Sequence, residues 1–301
     1  MNSNYRAGFV AIVGRPNVGK STLVNALVGR KIVITSKHPN TTRNPIRGII
    51  TKTDYQMIVV DTPGVHKPKT LLGARLNEMV AENIDGVDVA VICLPANEAM
   101  GLGDEFVAKQ ISKYKIIIAL TKSDTVNKAG LIEKLAEIDT VFKKLGINYQ
   151  EVIPIAAKQN EQVDTLELEI SKRLEASPPL YPADMDTDQA TELLIAEFIR
   201  EAAIEGTFQE VPHSIVVTVE DYKKRENKEL IDIQATIHVE RDSQKPMLIG
   251  KQGIKLKEIG TKARAQIENY LECKIYLSLH VKVTKDWQKD PKALSRLGFI
   301  E

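Results

Sequence analysis

The eight residues "GRPNVGKS", Gly14 to Ser21, have the types and spacing needed to hold a chain of phosphates. They fit G-x-x-x-x-G-K-[ST], with an apolar run before them and the helical stretch "TLVNALVG" after. Glycine lets the backbone turn its N–H groups inward on an anion, and the helix start adds partial positive charge. The chain from Gly14 through Arg15, Pro16, Asn17, Val18 and Gly19 to Thr22 would wrap the phosphates. Lys20 would reach the β- and γ-phosphates, and Ser21 would offer its hydroxyl to Mg²⁺.

Two later stretches narrow the ligand. "DTPG", Asp61-Thr62-Pro63-Gly64, ends an apolar strand, so Asp61 can hold Mg²⁺ through a water and the Gly64 N–H can meet the γ-phosphate. "TKSD", Thr121-Lys122-Ser123-Asp124, follows another strand, at the edge where open α/β sheets bind ligands. The Asp124 carboxylate can accept from N1–H and N2–H₂ of guanine, and the Lys122 stem can cover the base. Adenine offers no such donor pair and would leave the carboxylate desolvated and unpartnered. The expected ligands are GTP and GDP with Mg²⁺.

The elements that must position these residues are legible along the first half. "FVAIVG" (9–14), "MIVVD" (57–61), "VAVICL" (89–94), "KIIIAL" (115–120) and "EVIPIA" (151–156) are apolar on consecutive positions, as strands covered on both faces are. Helical spacing is read over 20–28, 71–85, 103–112, 129–145 and 163–175. In the fourth of these Leu131, Ile132, Leu135, Ile138 and Phe142 form the expected apolar face. "GIITKTDYQMIVVD" predicts a hairpin that adds one antiparallel edge strand. The sum is a doubly wound, mostly parallel α/β domain over 1–176.

A linker is expected at 177–190, where "ASPPLYPADMDTD" packs three prolines into a short span. Beyond it, helix, strand, strand, helix, strand over 191–301 make a smaller α+β domain. Gly250-Lys251-Gln252-Gly253 opens a helix whose Leu256, Ile259, Ala263, Ile267 and Leu271 share one face. Between 245 and 264 there are six basic residues, Lys245, Lys251, Lys255, Lys257, Lys262 and Arg264, against Glu258 alone. The helix at 191–205 carries Glu192, Glu197, Glu201 and Glu205 against Arg200. A basic side that coincides with a GxxG turn suits single-stranded RNA, whose backbone must pass close to the glycines. Ile249, Ile254, Ile275, Leu277 and Leu279 are groove or core positions. Trp287, the only Trp, either stacks on a base or pins the tail, the second being preferred.

Composition sets outer bounds. The chain has 301 residues, 43% hydrophobic and 27% charged, enough for two cored domains, and its net charge of +1 excludes whole-chain basicity. Cys93 and Cys273 lack metal-ligand spacing and read as buried thiols of a reducing cytoplasm. No 18-residue apolar run suggests a membrane span.

The ordered set "GRPNVGKS", "TTRN", "DTPG", "TKSD" and "IAA" resembles the translation-factor-related GTPases, and the second domain resembles a KH domain of the kind found in the Era family. The resemblance implies that Thr42, or Thr41, is the switch threonine meeting Mg²⁺ and the γ-phosphate. It implies that Ile155, Ala156 and Ala157 present backbone to the base. Thr121 stands where Asn is commonest, and Ala156 replaces the usual Ser. Where Ras-like proteins carry a water-orienting Gln, this chain has Val65, so slow hydrolysis is expected. Asn17 either shapes its loop or, as in related families, holds a monovalent cation such as K⁺. The catalytic candidates are Lys20, Asn17, Thr42 and Gly64. Metal candidates are Ser21, Thr42 and Asp61, and RNA candidates are Ile249, Gly250, Lys251, Gln252, Gly253, Lys255 and Lys257. By resemblance the chain is a monomeric, cytoplasmic switch that binds the small-subunit ribosomal RNA near its 3′ end and assists assembly of that subunit, with peripheral membrane contact as an accessory. The alternatives are a membrane-surface regulatory GTPase and an RNA-modification GTPase.

Overall fold

Seven consecutive buried residues make up β4 (Val89–Pro95), the burial expected of a strand covered on both faces. It lies in a six-stranded sheet ordered β2-β3-β1-β4-β5-β6. The other strands are β1 (Arg6–Val13), β2 (Ile46–Thr51), β3 (Tyr55–Asp61), β5 (Lys115–Thr121) and β6 (Glu151–Ile155). All neighbours pair in parallel except β2 and β3, the expected edge hairpin. The computed structural model describes residues 5–36, 45–63, 78, 82, 84–207, 214–226 and 229–299. The helix expected over 71–85 lies largely outside these residues, as do Thr41, Thr42, Gly64 and Val65.

Helices α1 (Lys20–Val28), α2 (Leu102–Gln110), α3 (Lys128–Leu145) and α4 (Val163–Ser171) follow their strands. In α3 the Asn127 side chain caps the start by accepting from the Gly130 N–H, and Gly146 (φ 67°) ends the helix in the left-handed region. Ile138 and Phe142 are fully buried with Leu131 packed beside them, but Ile132 and Leu135 are 60% and 37% exposed. The expected five-residue face is therefore narrower. At 3.6 residues per turn Ile132 stands about a third of a turn off the Leu131–Ile138 stripe.

β1, β5 and β6 end at one edge of the sheet, so the loops holding Gly14–Gly19, Thr121–Asp124 and 155–157 gather there. That convergence positions the site.

The chain divides into two units, the first holding the described residues of 5–33 and 45–188, the second those of 34–36 and 189–299. The second unit contains α5 (Thr191–Glu205), β7 (Val216–Lys224), β8 (Leu230–Val239), α6 (Gln244–Ile249), α7 (Ile254–Leu271), β9 (Lys274–Val283) and α8 (Pro291–Arg296). Its sheet is β7-β8-β9, antiparallel then parallel. α7 buries Ile259, Ala263 and Ile267 as expected. Of the four glutamates on α5, Glu192 and Glu205 are exposed, whereas Glu197 and Glu201 are buried together with Arg200. Charges inside a core require partners. Arg200 grips both Glu197 oxygens (2.8 and 2.6 Å), and Glu201 accepts from the Thr35 N–H (2.8 Å) within the same unit.

The proline-rich stretch is pinned to the first unit instead of spanning as a free linker. Gln56 on β3, wholly buried, accepts from the N–H groups of Leu180 (2.7 Å) and Tyr181 (2.9 Å) and donates to the Tyr181 carbonyl (2.9 Å). The Ile49 N–H donates to Asp186 O, and Arg47 and Arg30 pair with Asp188 and Asp186. Prolines forbid regular strand pairing here, and one amide side chain supplies the missing partners. Gln56→Ala should lower the stability of the first unit by about 1–3 kcal/mol, because it orphans buried amides. Chemical denaturation of the full chain followed by circular dichroism will measure the loss.

Candidate functional site

The loop after β1 depends on backbone that only glycine enters freely. Gly14 has φ 150°, and a Cβ there would sit 2.8 Å from the Cys93 carbonyl and 2.9 Å from Val18 Cγ2. Beneath the loop the Lys20 ammonium is buried and donates to the carbonyls of Gly14 (3.0 Å) and Arg15 (2.8 Å). Burial pushes its pKa down, and the nearby Asp61 carboxylate opposes that shift. The same burial drives the Cys93 thiol up to about 12, as an inert core cysteine requires.

At the metal position Ser21 Oγ donates to Asp61 Oδ2 at 2.9 Å, and Asp61 is wholly buried. A hydroxyl beside a buried carboxylate is a hard oxygen pair of the kind Mg²⁺ selects. Thr62 does not face the ligand edge with its hydroxyl, which donates to the Ile12 carbonyl inside the sheet. Thr42 and Gly64 lie outside the described residues.

The end expected to read the base is anchored by Thr121, 3% exposed, whose hydroxyl donates to the Val18 carbonyl (2.5 Å) with the Leu94 carbonyl 3.3 Å away. Threonine, standing where Asn is commonest, thus has a tie of its own to the loop after β1. Lys122 adopts φ 56° and turns the chain so that Asp124 is exposed at the mouth. Gln159 donates to Asp124 Oδ2 at 3.2 Å, a site residue missed in the sequence because it falls two residues beyond "IAA". The Ala156 amide donates to the Glu161 carbonyl (3.3 Å), so of the three the Ala157 amide is best suited to meet a base.

In the second unit a cleft of about 480 Å³ opens between α7 and β9. Gly253 stands at its end, Lys257, Thr261 and Arg264 form a polar rim, and Leu256, Leu277 and Leu279 give it apolar walls. Ile275 is core, and Ile254 is 56% exposed. At Gly250, φ 71°, a Cβ would meet Lys255 Cβ at 2.7 Å. At Gly253, φ 77°, nothing lies within 4 Å of the added atom. The first glycine is demanded by the fold, while the second keeps open the place where a backbone phosphate could pass. Lys251 and Gln252 are exposed on the turn, whereas Ile249 and Lys255 are half-buried. Tyr276, 58% exposed in the cleft, carried no sequence signal. Trp287 is not a stacking platform for bases: it is buried, donates to the Ser214 carbonyl (3.0 Å) and stacks on Phe299. Two lysines of the tail are paired as well, Lys285 with Asp242 and Lys289 with Asp286.

Comparison with known proteins covers both units. A family profile described as 50S ribosome-binding GTPase matches residues 9–122, and one described as KH domain matches 210–288. The chain is 50% identical to GTPase Era of Streptomyces coelicolor over 98% of its own length and 95% of that protein's. It is 47% identical to GTPase Era of Mycobacterium tuberculosis over 99% of its own length and 100% of that protein's. The chain belongs to the Era family of GTPases. Two solved Era structures superpose with TM-scores of 0.93 at 36% identity, covering 99% and 98% of this chain and 100% of theirs. One is Era in complex with MgGDPNP and nucleotides 1506–1542 of 16S ribosomal RNA; the other is a variant of Aquifex aeolicus Era bound to GDP·AlF₄⁻. An Era fold thus unites the phosphate loop, the base-reading loop and the basic cleft in one chain. Among the described residues no helix is long and apolar enough to cross a membrane.

Proposed function

We propose that this Era-family GTPase binds GTP with Mg²⁺ at the converging strand ends and uses hydrolysis to govern how its KH cleft holds single-stranded ribosomal RNA near the 3′ end of the small subunit, in support of that subunit's assembly. The observation that carries the reading is the full-length likeness to Era bound to MgGDPNP and 16S ribosomal RNA, joined to a site and a cleft that each have the required geometry.

In this reading Lys20 gives up its two carbonyl partners, or shares them, to meet the β- and γ-phosphates, and the anion restores the charge that burial disfavours. Ser21 and Asp61 would hold Mg²⁺, and Thr42, outside the described residues, would join them when GTP is bound. When bound, the ion offsets negative charge on the phosphate oxygens. Asp124, steadied by Gln159, accepts the two guanine donors, and the Ala157 amide meets the base from the other side. Gly64, which lies outside the described residues, would offer its N–H to the γ-phosphate. The Val65 side chain has no polar atom to orient water, so the intrinsic turnover is slow. Asn17, exposed with φ 64°, holds a monovalent cation against the phosphates.

On the RNA side, Lys251, Gln252 and Lys257 take the backbone as it crosses the turn, and the leucine walls take the bases. The membrane-surface alternative drew on a basic tail, in which Lys285 and Lys289 stay exposed beside Asp242 and Asp286.

Three outcomes are expected. Asp124→Asn lowers GTP affinity about 100-fold, the loss of two charge-assisted hydrogen bonds, and raises affinity for xanthosine triphosphate. Equilibrium binding of the two nucleotides will show whether preference moves. Gly253→Asp, whose side chain tolerates positive φ, weakens single-stranded RNA binding at least about tenfold by setting a carboxylate against phosphates, and leaves RNA-free GTP turnover intact. Filter binding with the ribosomal 3′-end sequence, run beside a phosphate-release assay, reads both. Turnover in KCl exceeds that in NaCl several-fold, and equal rates would return Asn17 to a purely structural role.

A further inference from the structure

We propose that Glu98 is a positioning residue that braces the phosphate-holding loop against the base-reading loop, so that the two ends of the nucleotide are gripped together. Glu98 lies in the turn between β4 and α2. One carboxylate oxygen, Oε1, is 3.1 Å from Lys122 Nζ, and the other, Oε2, is 3.5 Å from Arg15 Nη2. Lys122 belongs to the base-reading loop and Arg15 to the phosphate loop, so a single carboxylate spans both.

A lone exposed ion pair contributes little, because ordering two long side chains offsets the attraction. This one is held differently. The Arg15 guanidinium is already fixed through Nε to Asp104 Oδ1 at 2.7 Å, and Asp104 is 1% exposed. The Glu98 backbone is fixed through its carbonyl, which accepts from Lys134 Nζ at 2.6 Å; Lys134 is 5% exposed and also donates to Glu137 at 2.7 Å. Glu137 in turn accepts from the Met100 N–H at 2.9 Å, two residues beyond Glu98. Lys122 itself adopts left-handed backbone, φ 56°, at the start of its loop. Most of the ordering cost is therefore met by the fold, and the bridging charge acts between groups already in place.

The brace rests on the proposed nucleotide site and predicts cooperation within it. Losing the bridge frees each loop to release its end of the ligand separately, so the effect appears in the rate of dissociation. The experiment is stopped-flow release of N-methylanthraniloyl-GDP from the full-length chain, chased with unlabelled GDP. Glu98→Gln, nearly isosteric, should speed release about three- to fivefold at an ionic strength of about 50 mM. With potassium held constant and ionic strength raised to about 1 M, where the screening length is about 3 Å, the ratio of variant to parent should fall toward one. In an Arg15→Gln background the same substitution should have less than half its effect, since one arm of the bridge is gone. Equal release rates at low salt, a ratio indifferent to salt, or full additivity with Arg15→Gln would each overturn the brace. Failure of the unaltered chain to bind the labelled GDP would instead overturn the nucleotide site itself.

Discussion

A lysine ammonium cannot be buried without acceptors, and the first unit arranges its ligand edge around that requirement. Lys20 lies under its loop because Gly14 and Gly19 adopt backbone that turns two carbonyls, those of Gly14 and Arg15, onto its nitrogen. Carbonyl dipoles satisfy the charge only in part, so the pKa stays depressed by burial, and a polyanion is the better partner. The neighbouring groups follow from the same geometry. Ser21, next along the helix, falls within 2.9 Å of Asp61 at the end of β3, and Thr121 reaches back to the Val18 carbonyl. The ends of β3 and β5 are thus tied by side chains to the loop after β1 and to the first turn of α1.

Much of this was legible in order and spacing. Strands buried on both faces announce themselves as consecutive apolar residues, so all the expected strands are present, and the phosphate loop is tied to its flanks by a spacing that chance rarely reproduces. What the sequence could not show is direction in space. Ile132 and Leu135 have helical spacing yet face outward, because a helix at a sheet surface buries one stripe and no sequence rule names the stripe's edge. Glu197 and Glu201 count as acidic surface until the fold turns them inward onto Arg200 and Thr35. Gln159 and Glu98 carry no signature at all. Their roles come from loops distant in sequence that the sheet order brings to one edge.

The second unit shows the same limit from the other side. Its GxxG reads as two equivalent glycines, but the backbone distinguishes them: Gly250 has Lys255 pressed against it, whereas Gly253 faces open space. Both adopt positive φ, but only at Gly250 does packing also forbid a side chain. Ile275, Leu277 and Leu279 share one face of β9, and their place along the strand leaves Ile275 in the core and Leu277 and Leu279 lining the cleft, a separation that periodicity alone left undecided. Trp287 has a single indole donor, and giving it to the Ser214 carbonyl fixes its place as an anchor.

The strap over 177–188 has one more effect. β2 is the outermost strand of its sheet, and an unguarded outer strand offers its free N–H and C=O groups to any passing chain. Here the Ile49 amide is already taken by Asp186, Gly48 bridges to Thr187, and the prolines along the strap cannot themselves recruit a further strand. The same dozen residues that join the two units thus also act as a guard rail against amyloid-like self-pairing.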